Sequence, residues 1–210
     1  MRAENRMLLS LTKKFLFIAN LKTASTSIER VLGPHSEIRL TQSRFGKHML
    51  FSEFAERFKW ILNAVNINEL FIFGVMRDPT DYAISLYNSH REERFRNNPK
   101  LYTGNMDFGQ FIAEWVPKNA DQVRPQFSRF TSAEGRVVAN LLISFDKLAD
   151  GMEILAGRLQ VKELRNLPKV GPSPPGITRD DLTPEQIKWA ETRFEKDREF
   201  MARYCDRPLA

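Results

Sequence analysis

Cysteine is nearly absent from this chain of 210 residues: Cys205 is the only one. A lone cysteine excludes an internal disulfide and a cysteine-rich zinc site, so a stapled secreted domain is not expected and a reducing, cytoplasmic setting is. Long apolar runs are also missing near the start. The early one, residues 15–19, is five residues long, against the ~20 that span a bilayer. It lacks the small-residue cleavage site of a signal peptide, so neither a membrane span nor an anchor is expected. Glycine does not occur before Gly33, and residues 1–6 carry no structural signal, which makes Met7 a candidate start.

What is present is ordinary for a folded protein, with 42% hydrophobic and 28% charged residues. That composition excludes a disordered, collagen-like or coiled-coil chain. The length fits a single compact domain over residues 1–210. The net charge of +6 is unevenly spread. Residues 1–105 hold 16 Lys and Arg against 10 Asp and Glu, and residues 106–210 hold 16 of each. The excess in the N-terminal half points to an anionic partner bound there.

Residues 14–19 (KFLFIA) form a short apolar run rich in aromatic and β-branched side chains, which reads as a strand buried on both faces of a parallel sheet. A turn rich in Ser and Thr follows, and Ile28, Val31 and Leu32 then give helical spacing up to Gly33 and Pro34. The pattern recurs at residues 69–76 (ELFIFGVM), followed by Arg77, Asp78 and Pro79 and by a helix with Tyr82 and Leu86 on one face. Pro79 suits a first helical position, where its missing N–H costs nothing. Residues 51–62 read as a helix linking the two strands, and residues 137–145 as a third core strand. The stretch 167–178, with four prolines and two glycines, must be loop. Thr183, Pro184 and Gln186 carry a capping-box signature for a last helix, with Asp197 on its apolar stripe. Strands alternating with helices predict an α/β fold, three layers α/β/α around a central, mainly parallel sheet.

The turn after the first strand holds Lys22, Thr23, Ala24, Ser25, Thr26 and Ser27. A strand-to-helix turn of this kind offers backbone N–H groups and a helix dipole to an anion, and five of these six side chains can donate as well. The missing glycines exclude the glycine-rich nucleotide P-loop, whose backbone must wrap the phosphates. Arg77 closes the second strand, and Ser85 lies eight residues on, inside the next helix. A guanidinium fork and a hydroxyl suit a second phosphate-like group. Each motif also has a plain structural reading: a Ser/Thr-rich helix start, and Arg77 paired with Asp78 or Asp81.

Lys22 to Ser27 after a buried strand, then Gly46, Lys47 and His48, then Arg77 to Pro79 through Ser85 and Tyr87, together resemble the sulfotransferases that use 3′-phosphoadenosine 5′-phosphosulfate (PAPS). The chain is most similar to the carbohydrate branch of that superfamily. Weaker similarity extends to residues 167–173 and to the final helix with Asp197, so the resemblance covers about residues 14–204. It departs at Ala24, where many members have glycine, and in the loop from Lys169 to Ser173, where His and Asn are frequent. The resemblance implies a P-loop-like sulfotransferase fold and a metal-free transfer of the sulfuryl group from PAPS to a hydroxyl, a saccharide one for this branch. It implies that Lys22 and residues Thr23, Ala24, Ser25, Thr26 and Ser27 hold the 5′-phosphosulfate and that Arg77 and Ser85 hold the 3′-phosphate.

Lys22 would supply positive charge at the leaving oxygen, which sulfuryl transfer needs. The acceptor needs a base near neutral pH. His48 stands where related enzymes place a histidine facing the acceptor, with Glu53 as the alternative base, while His35 follows a Gly-Pro turn and His90 sits in a charged stretch expected to be exposed. Residues 92–100 and 124–129 read either as acceptor loops or as mobile polar loops. Two rival functions stay open: a small-molecule kinase sharing the topology, and a non-enzymatic binder of an anionic ligand. Three cations, Lys22, Lys47 and Arg77, suffice for a bis-anionic nucleotide, so a nucleic-acid partner is not required.

Overall fold

A computed structural model describes residues 7–40, 49–170 and 176–207. In chain order, β1 (Met7–Ser10), β2 (Phe15–Ile18), α1 (Ser25–Leu32) and β3 (Ile38–Leu40) come first. Then follow α2 (Phe51–Arg57), α3 (Lys59–Val65), β4 (Phe71–Met76) and α4 (Pro79–His90). Next are α5 (Phe108–Gln110), a π-helical turn at Phe111–Trp115, α6 (Val116–Lys118), β5 (Leu141–Ser144) and α7 (Leu148–Leu159). The last helices are α8 (Pro184–Arg193) and α9 (Glu195–Tyr204).

The chain forms two compact units. The first comprises Met1–Arg77, Gln126–Val170 and Phe200–Ala210, and the second Asp78–Pro125 and Gly171–Glu199. The first holds the whole sheet, of strand order β3-β1-β2-β4-β5. The fold is α/β, as expected, but the sheet is mixed. β2, β4 and β5 run parallel, whereas β1 is antiparallel to both β2 and β3. The expectation of a mainly parallel sheet holds for β2, β4 and β5 only, because β1 and β3 lie outside the apolar runs that read as strands.

The parallel strands are apolar on both faces, and each face packs a separate cluster. Phe15, Phe17, Phe73, Val75, Leu141 and Ile143 meet Ile28 and Leu32 of α1 and Met152, Leu155 and Leu159 of α7. Leu16, Ile18, Ile72, Met76 and Leu142 meet Phe51 and Phe54 of α2, Ile61 and Leu62 of α3, and Phe130. Helices thus cover both faces of the sheet. At roughly 1.5–3 kcal/mol for each large apolar side chain fully buried, these clusters carry most of the unit's stability. Gly74 has a packing reason: a Cβ there would lie 2.2 Å from the ring of Phe130 and 3.0 Å from the carbonyl of Ile18. The helix expected at 51–62 is interrupted at Phe58, whose φ of −117° and ψ of 28° separate α2 from α3.

The second unit is built on α4, which buries every residue except Asp81. Asp78 caps it, its carboxylate accepting from the N–H groups of Thr80 at 2.9 Å and Asp81 at 3.2 Å, and Pro79 occupies the first helical position as expected. Around it the rings of Tyr87, Phe108, Phe111 and Trp115 pack with centroids 5.0–5.6 Å apart. The ring of Phe194 meets Tyr82 edge-on. The polar ends of these aromatics are satisfied: Tyr87 donates to the Met106 carbonyl at 2.7 Å and Trp115 to the Leu101 carbonyl at 3.1 Å. Burial pushes the Tyr87 phenol upward from its usual pKa. Thr183 caps α8 in the expected capping box, and Phe194 divides the last helix into α8 and α9.

Candidate functional site

The chain leaves β2 through α1 toward β3 on one side of the sheet, and it leaves β4 toward β5 on the other. The carboxyl ends of β2 and β4 are therefore where connections diverge, the position at which open α/β sheets bind ligands. Two expected elements meet there: the turn from Lys22 to Ser27, and Arg77.

The turn is bent by two left-handed residues, Lys22 at φ 58° and Ala24 at φ 57°. Ala24 is the residue immediately before α1. Left-handed backbone costs an L-residue roughly 1–2 kcal/mol, so this shape is imposed by its surroundings. Alternating handedness of this kind turns successive N–H groups toward a common concavity, and the first N–H groups of a helix lack intrahelical partners. The hydroxyls are partly committed to the fold. Thr23 donates to the Asn20 carbonyl at 3.1 Å, and Ser27 accepts from the Val170 N–H at 3.4 Å. Thr23, Ser25 and Ser27 are buried, whereas Lys22, Ala24 and Thr26 are half-buried.

Arg77 donates from Nη1 to the Lys22 carbonyl at 3.3 Å and lies over the ring of Phe145, 4.6 Å from its centroid. Its expected structural partners, Asp78 and Asp81, both face Arg179 within the second unit. The Arg77 peptide is gripped by a buried amide. Gln126 accepts from its N–H at 3.0 Å and donates to its carbonyl at 2.8 Å. Asn20, also fully buried, donates to the Val75 carbonyl at 3.2 Å and to Gln126 Oε1 at 2.9 Å. One amide-to-amide pin therefore ties the ends of β2 and β4 together directly beneath the turn and Arg77.

Gln126 belongs to the stretch 124–129 read from sequence as an acceptor loop or a mobile polar loop. The structure corrects both readings at Gln126 and Arg129, which are 0% and 1% exposed. Polarity misled the reading: a buried Gln serves here as a backbone clamp. His90 is a second correction. It is 4% exposed, lies between the rings of Phe95 and Trp115 at 4.7 Å from each, and has Nδ1 2.8 Å from the Leu86 carbonyl. Because a carbonyl only accepts, that nitrogen carries the proton. The charged neighbours concealed the fact that α4 runs to His90 and is buried nearly all round.

Ser85, the other expected phosphate ligand, is buried on α4 in the second unit. Asp78, Asp81, Ser85 and Asn88 are spaced three or four apart and share one face of α4. The loop segment 176–179 runs along that face, Asn88 pairing with both backbone groups of Ile177 and Arg179 meeting Asp78 and Asp81. Ser85 falls between these two attachments in the helical register.

Gly46, Lys47 and His48 lie outside the described residues, as do Gly171 to Ser173 of the proline-rich loop. Glu53 is half-buried at the start of α2, where its carboxylate accepts from the Leu50 N–H at 3.1 Å. Asp197 is fully buried. Burial raises the Cys205 thiol to about 12, which leaves it protonated and unreactive at neutral pH. Among the described residues no helix is long and apolar enough to cross a membrane, and no group of three or more His, Cys, Asp or Glu has metal-binding placement. No family model, curated protein or solved structure matches the chain.

Proposed function

We propose that the chain is a PAPS-dependent sulfotransferase of P-loop-like, three-layer fold that moves a sulfuryl group to a hydroxyl acceptor of the saccharide class. The observation that carries this reading is the meeting of Arg77 with the left-handed Lys22 turn at the diverging ends of β2 and β4. A turn with a lysine, hydroxyls and a helix start suits the 5′-phosphosulfate, and a guanidinium beside it suits a second anionic group on the same nucleotide. The order of these motifs along the chain, with Ser85 following Arg77, supports the same assignment.

In this reading the acceptor oxygen attacks sulfur in line. A new S–O bond forms as the bond from sulfur to the 5′-phosphate oxygen breaks, and adenosine 3′,5′-bisphosphate leaves. Lys22 and the N–H groups of the turn stabilise the charge that grows on the leaving oxygen. The acceptor proton passes to His48 or, in its place, to Glu53, whose present bond to the Leu50 N–H would have to yield. Lys22→Ala is expected to leave the thermal midpoint within a few degrees and abolish transfer from PAPS. Adenosine 3′,5′-bisphosphate should raise the thermal midpoint of the wild-type protein far more than 5′-AMP does. Equal shifts from the two nucleotides, or magnesium-dependent phosphoryl transfer from ATP, would overturn the reading.

A further inference from the structure

At the end of β5 an interaction chain starts from a residue that no motif contains. Asp206 receives the backbone N–H of Ser144 at 2.8 Å and the Ser144 hydroxyl at 2.7 Å, one on each carboxylate oxygen. Its own N–H donates to the Leu142 carbonyl at 2.7 Å, and Leu142 pairs with Cys205 in a parallel bridge. Asp206 sits at φ 60°, a left-handed conformation that Asp and Asn tolerate better than most residues. The carboxylate thus closes over the last residue of β5 from 62 positions further along the chain. The next residue is Phe145, half-buried, and its ring is the surface on which the Arg77 guanidinium rests at 4.6 Å. Lys147, on the other side of Phe145, also faces Asp206 at 3.7 Å.

A guanidinium on a long side chain has many rotamers, and it selects a phosphate well only when its fork is already aimed. Arg77 is fixed at its peptide by Gln126, at one terminal nitrogen by the Lys22 carbonyl, and on its flat face by Phe145. The first two constraints set where the side chain starts and one direction in which it donates. The ring, against which the flat face lies, sets the plane of the fork.

We propose that Phe145 is a positioning residue for Arg77, acting as a platform that orients its guanidinium, and that Asp206 is the anchor that holds this platform in place through Ser144. Neither residue touches the reacting atoms. The nucleotide consequence of the platform, tighter selection of a group carrying a 3′-phosphate, rests on the sulfotransferase reading above, whereas the orientation of Arg77 does not.

The test uses the full chain, labelled with nitrogen-15 at arginine, and reads the Nε–H resonance of Arg77, assigned by its loss in Arg77→Lys. The ring of Phe145 displaces that resonance from the position of a solvent-exposed arginine. Phe145→Leu keeps the apolar volume and removes the ring, and Phe145→Tyr keeps the ring. Asp206→Gly removes the carboxylate while accepting the left-handed backbone without strain. The resonance is expected to move to the exposed position in Phe145→Leu, to move partway in Asp206→Gly, and to stay in Phe145→Tyr. A resonance unmoved in Phe145→Leu overturns the platform, and one unmoved in Asp206→Gly overturns the anchor. The same variants are then titrated with adenosine 3′,5′-bisphosphate and with 5′-AMP. Phe145→Leu should weaken the bisphosphate about threefold to fivefold and leave 5′-AMP unchanged, with discrimination restored in Phe145→Tyr. A wild-type protein that binds the two nucleotides equally counts against the sulfotransferase reading alone, because the arginine resonance answers the structural question without any ligand.

Discussion

The two halves of the sheet are built differently. On one side, β2, β4 and β5 run parallel, are apolar on both faces and end in the candidate site. On the other, β1 and β3 form an antiparallel flap whose outer strand is three residues long and only half-buried to exposed. The flap is finished by local polar chemistry: Glu37 accepts from the Leu11 N–H at 2.7 Å across the turn between β1 and β2. The parallel half uses polar groups for a different end. Asn20 and Gln126 are buried at the strand ends and satisfy backbone groups that the next turn would otherwise orphan. Parallel strands need helices on both faces, so their ends open into loops that a polar ligand can reach, and the buried amides keep those ends from separating.

This contrast is open to direct attack. Gly74→Ala should be the most damaging change, costing about 3 kcal/mol, since the added methyl meets the Phe130 ring and the Ile18 carbonyl and overpacks the centre of the parallel half. Chemical denaturation measures it, and a loss below about 1 kcal/mol would mean that Phe130 moves aside freely. Gln126→Ala comes next at about 2 kcal/mol, because it leaves the Arg77 N–H and carbonyl and the Asn20 amide short of partners in the interior. It should weaken nucleotide binding as well as the fold, and a variant with normal stability but lost binding would separate the clamp from the core.

The flap should respond least. Hydrogen bonds from Thr12, the Leu11 N–H and its own N–H, together with Ser10, hold the Glu37 carboxyl at about 2, below its ordinary 4.5. A carboxyl lowered on folding stabilises the protein fully above pH 4.5, and that contribution is lost as pH falls from 4.5 toward 2. Exposure screens it to under about 1 kcal/mol. Glu37→Gln should therefore lower stability slightly at pH 7 and flatten its decline in acid, as read by thermal midpoints across the pH range. An unchanged acid profile would show that the flap's closure does not depend on this charge.

Much of the parallel half was legible beforehand. The apolar runs at 14–19, 69–76 and 137–145 contain β2, β4 and β5, because a strand buried on both faces must be apolar throughout. Pro79 behind Asp78, and Thr183 three residues before Gln186, marked helix starts because caps are local hydrogen-bond chemistry. The strands β1 and β3 were not legible: the apolar part of β1 is Met7, Leu8 and Leu9 alone, and β3 is three half-buried to exposed residues, whereas β2 and β5 lie inside longer apolar runs. The clamp made by Asn20 and Gln126 escaped notice for another reason: their separation of 106 residues gives no spacing signal, and polar side chains in a proline-flanked stretch look like surface. Phe145 and Asp206 escaped in the same way.

The sequence by itself determined the three parallel core strands β2, β4 and β5, the helices that follow β2 and β4, where α4 and α8 begin, and that Lys22, the hydroxyls after it and Arg77 each follow a buried strand. Those features depend on neighbours a few residues apart, so local pattern suffices to specify them. Only the tertiary structure decided that β2 and β4 lie side by side, that Arg77 reaches the Lys22 carbonyl, that Gln126 and Asn20 lock the strand ends, and that His90 is buried between rings. These outcomes depend on groups far apart in the chain competing for the same interior volume and the same unsatisfied backbone atoms, and only packing resolves that competition.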